Sequence, residues 1–141
     1  MSLPSLHFDA LTARLLSDPR LAGKVFDTTV NSDGTVRTGE YLVLFGGNPD
    51  QVTSGRFNAP QMPDSDAVYR YTLRGVGGSK DAARDMCAAG FALLVGFQPV
   101  IAGRNCSRIR HDGADPIDRD PNESIPLWFG DDDYVLNSYK A

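Results

Sequence analysis

The stretch from Ala67 to Gly96, AVYRYTLRGVGGSKDAARDMCAAGFALLVG, constrains the fold more than any other because its hydrophobic period changes part-way along. In Val68–Arg74 the residues Tyr69, Tyr71 and Leu73 alternate with Arg70, Thr72 and Arg74, the period of a strand with one buried face. Gly75, Gly77 and Gly78 break that alternation, and Ser79 stands where its hydroxyl can accept a free backbone N–H as a helix N-cap. Beyond it Ala82, Ala83, Met86, Gly90, Leu93 and Leu94 recur at three- and four-residue spacing, which predicts a helix with one apolar face. Gly96 fits a C-terminal cap. Strand, glycine turn and core helix together form the expected centre of the fold.

The flanking segments add elements around that centre. Ser5 is placed to cap a first helix whose Phe8, Leu11, Leu15 and Leu16 line one face. Asp18-Pro19 resets the chain into a short turn, and Lys24–Val30 (KVFDTTV) is rich in strand formers. Asn31–Gly34 is a turn signal from which Val36–Thr38 returns as a short hairpin arm. Tyr41–Phe45 (YLVLF) is apolar throughout, as for a strand covered on both faces. Gly46–Asp66, with Pro49, Pro60 and Pro63, reads as a long connection of the kind that usually carries contacts. Pro99–Ile101 reads as a short extended segment and Arg104–His111 (RNCSRIRH) as a strand with Cys106, Arg108 and Arg110 on one side. Asp112–Ser124 is a polar loop, and Leu127–Phe129 with Tyr134–Tyr139 make two strands or one interrupted strand around Gly130–Asp133. At 141 residues the chain is expected to be a single domain, 1–141. The element order predicts an α+β fold: a mixed, mainly antiparallel sheet with two helices packed on one face, joined by long loops.

Several chemistries are tested by spacing and fail. The turn Gly75-Val76-Gly77-Gly78-Ser79-Lys80 precedes a helix N-terminus, where phosphate can bind. A dinucleotide fingerprint needs a glycine where Lys80 stands, and a P-loop needs Gly-Lys-Ser/Thr rather than Gly-Ser-Lys. A metal site would have to recruit Cys87, Cys106, His7 and His111. On an extended strand Cys106 and His111 point to opposite faces, and Cys87 adjoins the apolar stripe of the helix. Neither a Gly-x-Ser-x-Gly elbow nor a signature around Cys106 marks a nucleophile. No cofactor, no metal and no catalytic residue is therefore expected. The net charge of -4 argues against nucleic acid as the main partner, because phosphate binding needs a basic surface. No apolar run has the length of a membrane span, and the N-terminus has no basic region followed by an apolar run, so neither a membrane nor a secretory signal is expected. Two cysteines in a chain this long make no disulfide framework, which fits a reducing cytoplasm.

The charged residues point to association instead. Arg70 and Arg74 share a face of one predicted strand, and Arg108 and Arg110 share a face of another. If the two strands are neighbours they make a basic strip facing away from the helices. Acidic residues collect in later segments: Asp118 and Asp120 around Arg119, and the triplet Asp131, Asp132, Asp133, read as a turn. Basic strands and acidic loops on one chain suit a head-to-tail interface between subunits, and these residues are the candidate interface.

The order of elements resembles the tail terminator (tail completion) proteins of long-tailed bacteriophages. The likeness is carried by the amphipathic helix Leu6–Leu16, the KVFD segment Lys24–Asp27, the apolar strand YLVLF and the strand–helix unit YRYTLRG…SKDAARDMCAAGFALL. It continues through VIAGRNCSRIR at Val100–Arg110, the Asp118-Arg119-Asp120 loop and the closing DDYVLNSY at Asp132–Tyr139. The resemblance implies a non-enzymatic virion protein, assembled in the host cytoplasm, that forms a hexameric ring on the last ring of the tail tube. Such a ring stops tube growth and presents a docking surface to the head–tail connector, with DNA free to pass through the lumen. A stopper or adaptor of the same connector is the alternative, and a small ligand-binding domain or enzyme is a more distant one.

Overall fold

The computed structural model describes residues 2–51, 65–121 and 125–141. Among them lie two α-helices, a short 3-10 turn and seven strands in one mixed, mostly antiparallel sheet, the expected α+β arrangement. The strands are β1 (Val25–Phe26), β2 (Tyr41–Gln51), β3 (Ala67–Gly77), β4 (Arg104–Cys106), β5 (Arg110–Ala114), β6 (Asp118–Arg119) and β7 (Trp128–Lys140). The helices are α1 (Leu3–Leu16) and α2 (Lys80–Leu94). The sheet runs β1-β2-β3-β7, and β4, β5 and β6 follow one another along the far edge of β7 as an interrupted strand. Among the described strands, only β1 is parallel to its neighbour.

Both helices cover the same face. Leu11 and Leu15 of α1, and Met86 and Leu94 of α2, pack with Leu42, Leu44, Tyr69, Tyr71, Leu73, Tyr134 and Leu136 in one continuous core. Each fully buried aliphatic side chain there contributes about 1.5–3 kcal/mol of transfer free energy. The inward alternation of Tyr69, Tyr71 and Leu73 is as the sequence predicts, and Ser79 caps α2 by accepting the Ala82 N–H at 3.1 Å. The glycines before it serve a second purpose. β3 continues through Gly75 and Gly77, and a Cβ on either would lie 2.6 Å from Cys87 Sγ or Ala82 Cβ. Lack of a side chain there lets α2 press onto the strand.

Other boundaries differ from expectation for local reasons. α1 is capped by Ser2, whose hydroxyl accepts from the Ser5 N–H at 3.3 Å, and not by Ser5. Pro4 sits in the first turn, where its missing N–H costs nothing. The buried face of α1 is His7, Leu11 and Leu15, one step round from the expected stripe, and Leu16 is 45% exposed. Asp18 caps the 3-10 turn Pro19–Leu21, and Val30 pairs with Val36 across the Asn31–Gly34 turn. The apolar strand does not end at Phe45. Gly46 and Gly47, at φ of 93° and 91°, form a bulge through which β2 continues to Gln51. Of the expected long connection only the end, Ser65–Asp66, lies among the described residues beyond that strand; residues 52–64 lie outside them. Pro99–Ile101 belongs to no strand and pairs with none among the described residues. β7 is one unbroken strand, so Asp131–Asp133 is not a turn.

Candidate functional site

The helix-free face of the sheet carries most of the candidate residues. Arg70, Thr72 and Arg74 of β3 stand opposite Val135, Asp133 and Asp131 of β7. The expected basic strip depended on the two arginine strands being neighbours, and they are not: β7 lies between β3 and β5. Its carboxylates therefore interleave the arginines. Arg74 donates through Nε to Asp131 Oδ1 at 2.8 Å and through an Nη to Asp131 Oδ2 at 3.1 Å, a fork-to-fork pair. Its guanidinium lies over the Phe129 ring at 4.4 Å and near Phe45 at 5.5 Å, so the pair is shielded by aromatic rings. Thr72 donates to Asp133 at 2.8 Å.

Towards the other end of that face the contacts loosen. Arg70 lies 3.4 Å from Asp112 and 3.8 Å from Asp50, with all three side chains more than half exposed. Such pairs are worth ~0–1 kcal/mol. With Arg110, Val135 and Asn137, Arg70 borders a shallow groove of about 300 Å³.

The acidic triplet is divided by strand alternation. Asp131 and Asp133 face away from the helices, and Asp132 faces them, 3.0 Å from His111 Nε2. Each of the three carboxylates already has a partner within the chain. His111 also meets the edges of Phe91 and Tyr134, so it joins β5 to α2.

The edge beyond β7 holds the remaining candidates. The expected continuous strand Arg104–His111 is broken: Ser107 still pairs with Asn137, but the Ile109 N–H turns to the carbonyl of Phe97 at 2.8 Å. The break shifts the alternation by one residue. Arg104 and Cys106 are buried, Ile109 is buried, and Arg108 and Arg110 are exposed, so Cys106 does not share a side with the two arginines. Arg108 donates to the Gly96 carbonyl at 3.0 Å, placing a cation at the C-terminal end of α2, where the helix dipole favours it. In β6 and just after it, Asp118 and Arg119 are exposed and Asp120 is half-buried, its N–H bonded to the Leu127 carbonyl.

A polar cluster absent from the sequence reading lies under the helices. His7 is fully buried, stacked on Tyr69 at 4.1 Å, with Nδ1 2.6 Å from the Leu3 carbonyl and Nε2 2.9 Å from Ser138 Oγ. Arg104 Nε donates to that same hydroxyl at 2.9 Å, and an Nη donates to the Ser138 carbonyl at 2.9 Å. The donors and acceptors close in one direction. Arg104 donates to Ser138, Ser138 donates to Nε2, and Nδ1–H donates to Leu3, which requires neutral imidazole. Burial lowers the His7 pKa, assisted by the nearby Arg104 charge and opposed by the Leu3 hydrogen bond. The signal for this position was present in its spacing, since His7, Leu11 and Leu15 are four apart.

The cysteines belong to the core. Cys106 lies 3.9 Å from His7 Nε2, and burial pushes its thiol up. Cys87 donates to the Gly130 carbonyl at 3.4 Å and is pushed up to about 11, chiefly by burial. Neither is poised as a thiolate at neutral pH. Among the described residues no group of three or more His, Cys, Asp or Glu side chains is arranged to hold a metal ion, and no helix is long and apolar enough to cross a membrane.

No protein-family profile matches the chain, and no curated protein sequence matches it. Its fold is similar to that of a chain in the solved virion of a native gene transfer agent (GTA) particle. The TM-score is 0.67 at 17% identity, covering 97% of this chain and 94% of that one. At that identity the likeness is one of fold, and it extends over nearly the whole of both chains.

Proposed function

We propose that the protein is a structural component of a phage-like virion, a tail terminator that forms a ring at the head-proximal end of the tail tube. The observation that carries this reading is the fold shared, almost end to end, with a chain of a gene transfer agent virion. The order of elements supports the finer assignment, since it is the layout of the tail terminator proteins described above. In this reading the ring, expected to be a hexamer, ends tube polymerisation and offers its upper surface to the head–tail connector. Its partners are copies of itself, the tail tube protein and the connector's stopper. It acts without cofactor or catalysis, in the virion tail, after assembly in the host cytoplasm.

The charged surface fits that role. Arg70, Arg108, Arg110, Asp118 and Arg119 keep exposed charge at the interface expected from the sequence. Arg74 with Asp131, Asp132 with His111, and Asp133 with Thr72 brace the strands that present it, and Asp120 adjoins the apolar pocket of Tyr41, Val76, Leu127 and Phe129. A net charge of -4 suits a lumen through which DNA passes without being held.

A tail-assembly reaction tests this. Tubes polymerised with the protein should stop at uniform length and carry a ring at one end, and tubes without it should grow on. Unchanged tube lengths with no bound ring would overturn the assignment. A ring that binds only a pre-terminated tail would move the protein to the stopper or adaptor position.

A further inference from the structure

The first half of α1 is anchored to the sheet by one fully buried side chain, and that side chain titrates. From Ser2 to Ala10 only His7 is buried; Leu6 and Phe8 are half-buried, and Ser5 and Asp9 are exposed. A shallow cleft of about 220 Å³, bordered by Pro4, Phe8 and Gly47, lies between these turns and the β2 bulge. The second half of the helix is fixed by other means. Leu11 and Leu15 are fully buried, and Arg14 Nε donates to the Leu93 carbonyl of α2 at 2.9 Å. Two turns of helix are marginal by themselves in water, so Leu3–Ala10 depends on its contact with the sheet.

Through His7 that contact reaches three strands. The ring stacks on Tyr69 of β3, Nε2 lies 2.9 Å from Ser138 Oγ of β7, and Arg104 and Cys106 of β4 flank the same hydroxyl. Among the described residues no carboxylate contacts the imidazole. From β1, β2, α2 and the Pro19–Leu21 turn, which also pack against α1, no charged group acts on it. Nδ1–H is committed to the Leu3 carbonyl, and the Nε2 lone pair accepts the Ser138 hydroxyl proton. A proton on Nε2 would displace that hydroxyl proton and set an imidazolium and a guanidinium against one oxygen, away from water.

We propose that the start of α1 is an acid-released latch: a proton taken from solvent at His7 Nε2 frees residues 3–10 from the sheet while the rest of the fold stays closed. Burial, opposed by the Leu3 hydrogen bond and assisted by the Arg104 charge, holds the closed-state pKa of His7 below its ordinary value. Once released, the ring returns to about 6.5. Opening is therefore favoured as the pH falls below about 6.5, by up to about tenfold per pH unit, until the closed-state value is reached. Release bares Tyr69, Cys106 and Ser138. The latch belongs to the single chain and stands whether or not copies assemble into a ring.

Hydrogen exchange and thiol labelling of the full chain test it, with peptide mapping to separate Cys106 from Cys87 and each rate normalised to the unfolded chain. Between about pH 7.5 and pH 5, exchange of the Leu6–Ala10 amides and reaction of Cys106 with a pyridyl disulfide should each rise at least about fivefold, while β3 and α2 keep their protection. In His7→Gln, whose side chain does not titrate, both normalised rates should be independent of pH over that range. Equal protection of residues 6–10 at the two pH values, or its loss only together with that of β3 and α2, would overturn the latch. An equal rise in His7→Gln would overturn it as well. The first two outcomes are read on the wild-type chain and decide the question even if the substituted chain fails to fold.

Discussion

The two faces of the β3–β7 pair carry polar groups of similar kind under different rules. On the helix face, His7, Ser138 and Arg104 are at most 8% exposed, and their hydrogen bonds run in one direction through a neutral imidazole. On the open face, the arginines and aspartates form ion pairs whose geometry slackens with exposure, from 2.8 Å at Arg74–Asp131 to 3.8 Å at Arg70–Asp50. Burial turns a polar group into a structural commitment, because an unpaired atom there has no water to fall back on. Exposure leaves charge available for a partner. The contrast separates residues that hold the fold from residues that can recognise another chain.

The largest expected effect comes from the helix face. Gly75→Val would drive side-chain atoms into Cys87, whose backbone N lies 2.8 Å from the position of a Cβ, so α2 would have to lift from β3. A loss of about 3 kcal/mol or more is expected by thermal or chemical unfolding. A well-folded Gly75→Val with wild-type stability would show that α2 does not depend on this close approach.

His7→Ala comes next, at about 2–3 kcal/mol, since it opens a cavity and strips a partner from buried Ser138. The same residue gives a pH signature. Its pKa in the folded chain lies below the ordinary imidazole value of 6.5, so the folded state resists a proton that the unfolded chain accepts. Stability from this group is complete above about pH 6.5 and declines as the pH falls from there towards the folded-state value. Denaturant midpoints measured down to about pH 5 should fall in the wild type and fall less in His7→Ala; parallel curves would contradict the neutral relay.

Smaller effects are expected on the open face. Arg74→Ala should cost about 1–2 kcal/mol, because Asp131 is mostly buried and would lose both hydrogen bonds while Phe45 and Phe129 lose their cover. Arg70→Ala should change stability by no more than about 0.5 kcal/mol, its two ion pairs being long and exposed. A reversal of that order in unfolding experiments would break the graded picture of the open face.

The same contrast explains what could be read from the chain. β3 and α2 were legible because each has a clean hydrophobic period, and the inward tyrosines and outward arginines of β3 follow from it. Gly46, Gly47, Gly75 and Gly77 were read as breaks, though they lie inside strands. What they answer to is a neighbouring element, a bulge against β3 or the approach of α2, and local pattern holds no record of a neighbour. Asp131–Asp133 looked like a turn for a related reason. Three adjacent acids are unusual in a strand, and only the partners Arg74, His111 and Thr72 make them tolerable there. The placement of the candidate interface residues was partly legible: Arg108 and Arg110 are exposed, but the slip at Ser107–Ile109 and the interposed β7 depend on tertiary pairing.

The proposed place of this chain at the head-proximal end of a tail tube can be checked by electron microscopy of intact particles bearing a labelled copy of the protein. Label is expected as a single ring where the tube meets the head connector, absent from the tube shaft and the distal tip. Label along the shaft, at the tip or nowhere on the particle would contradict it.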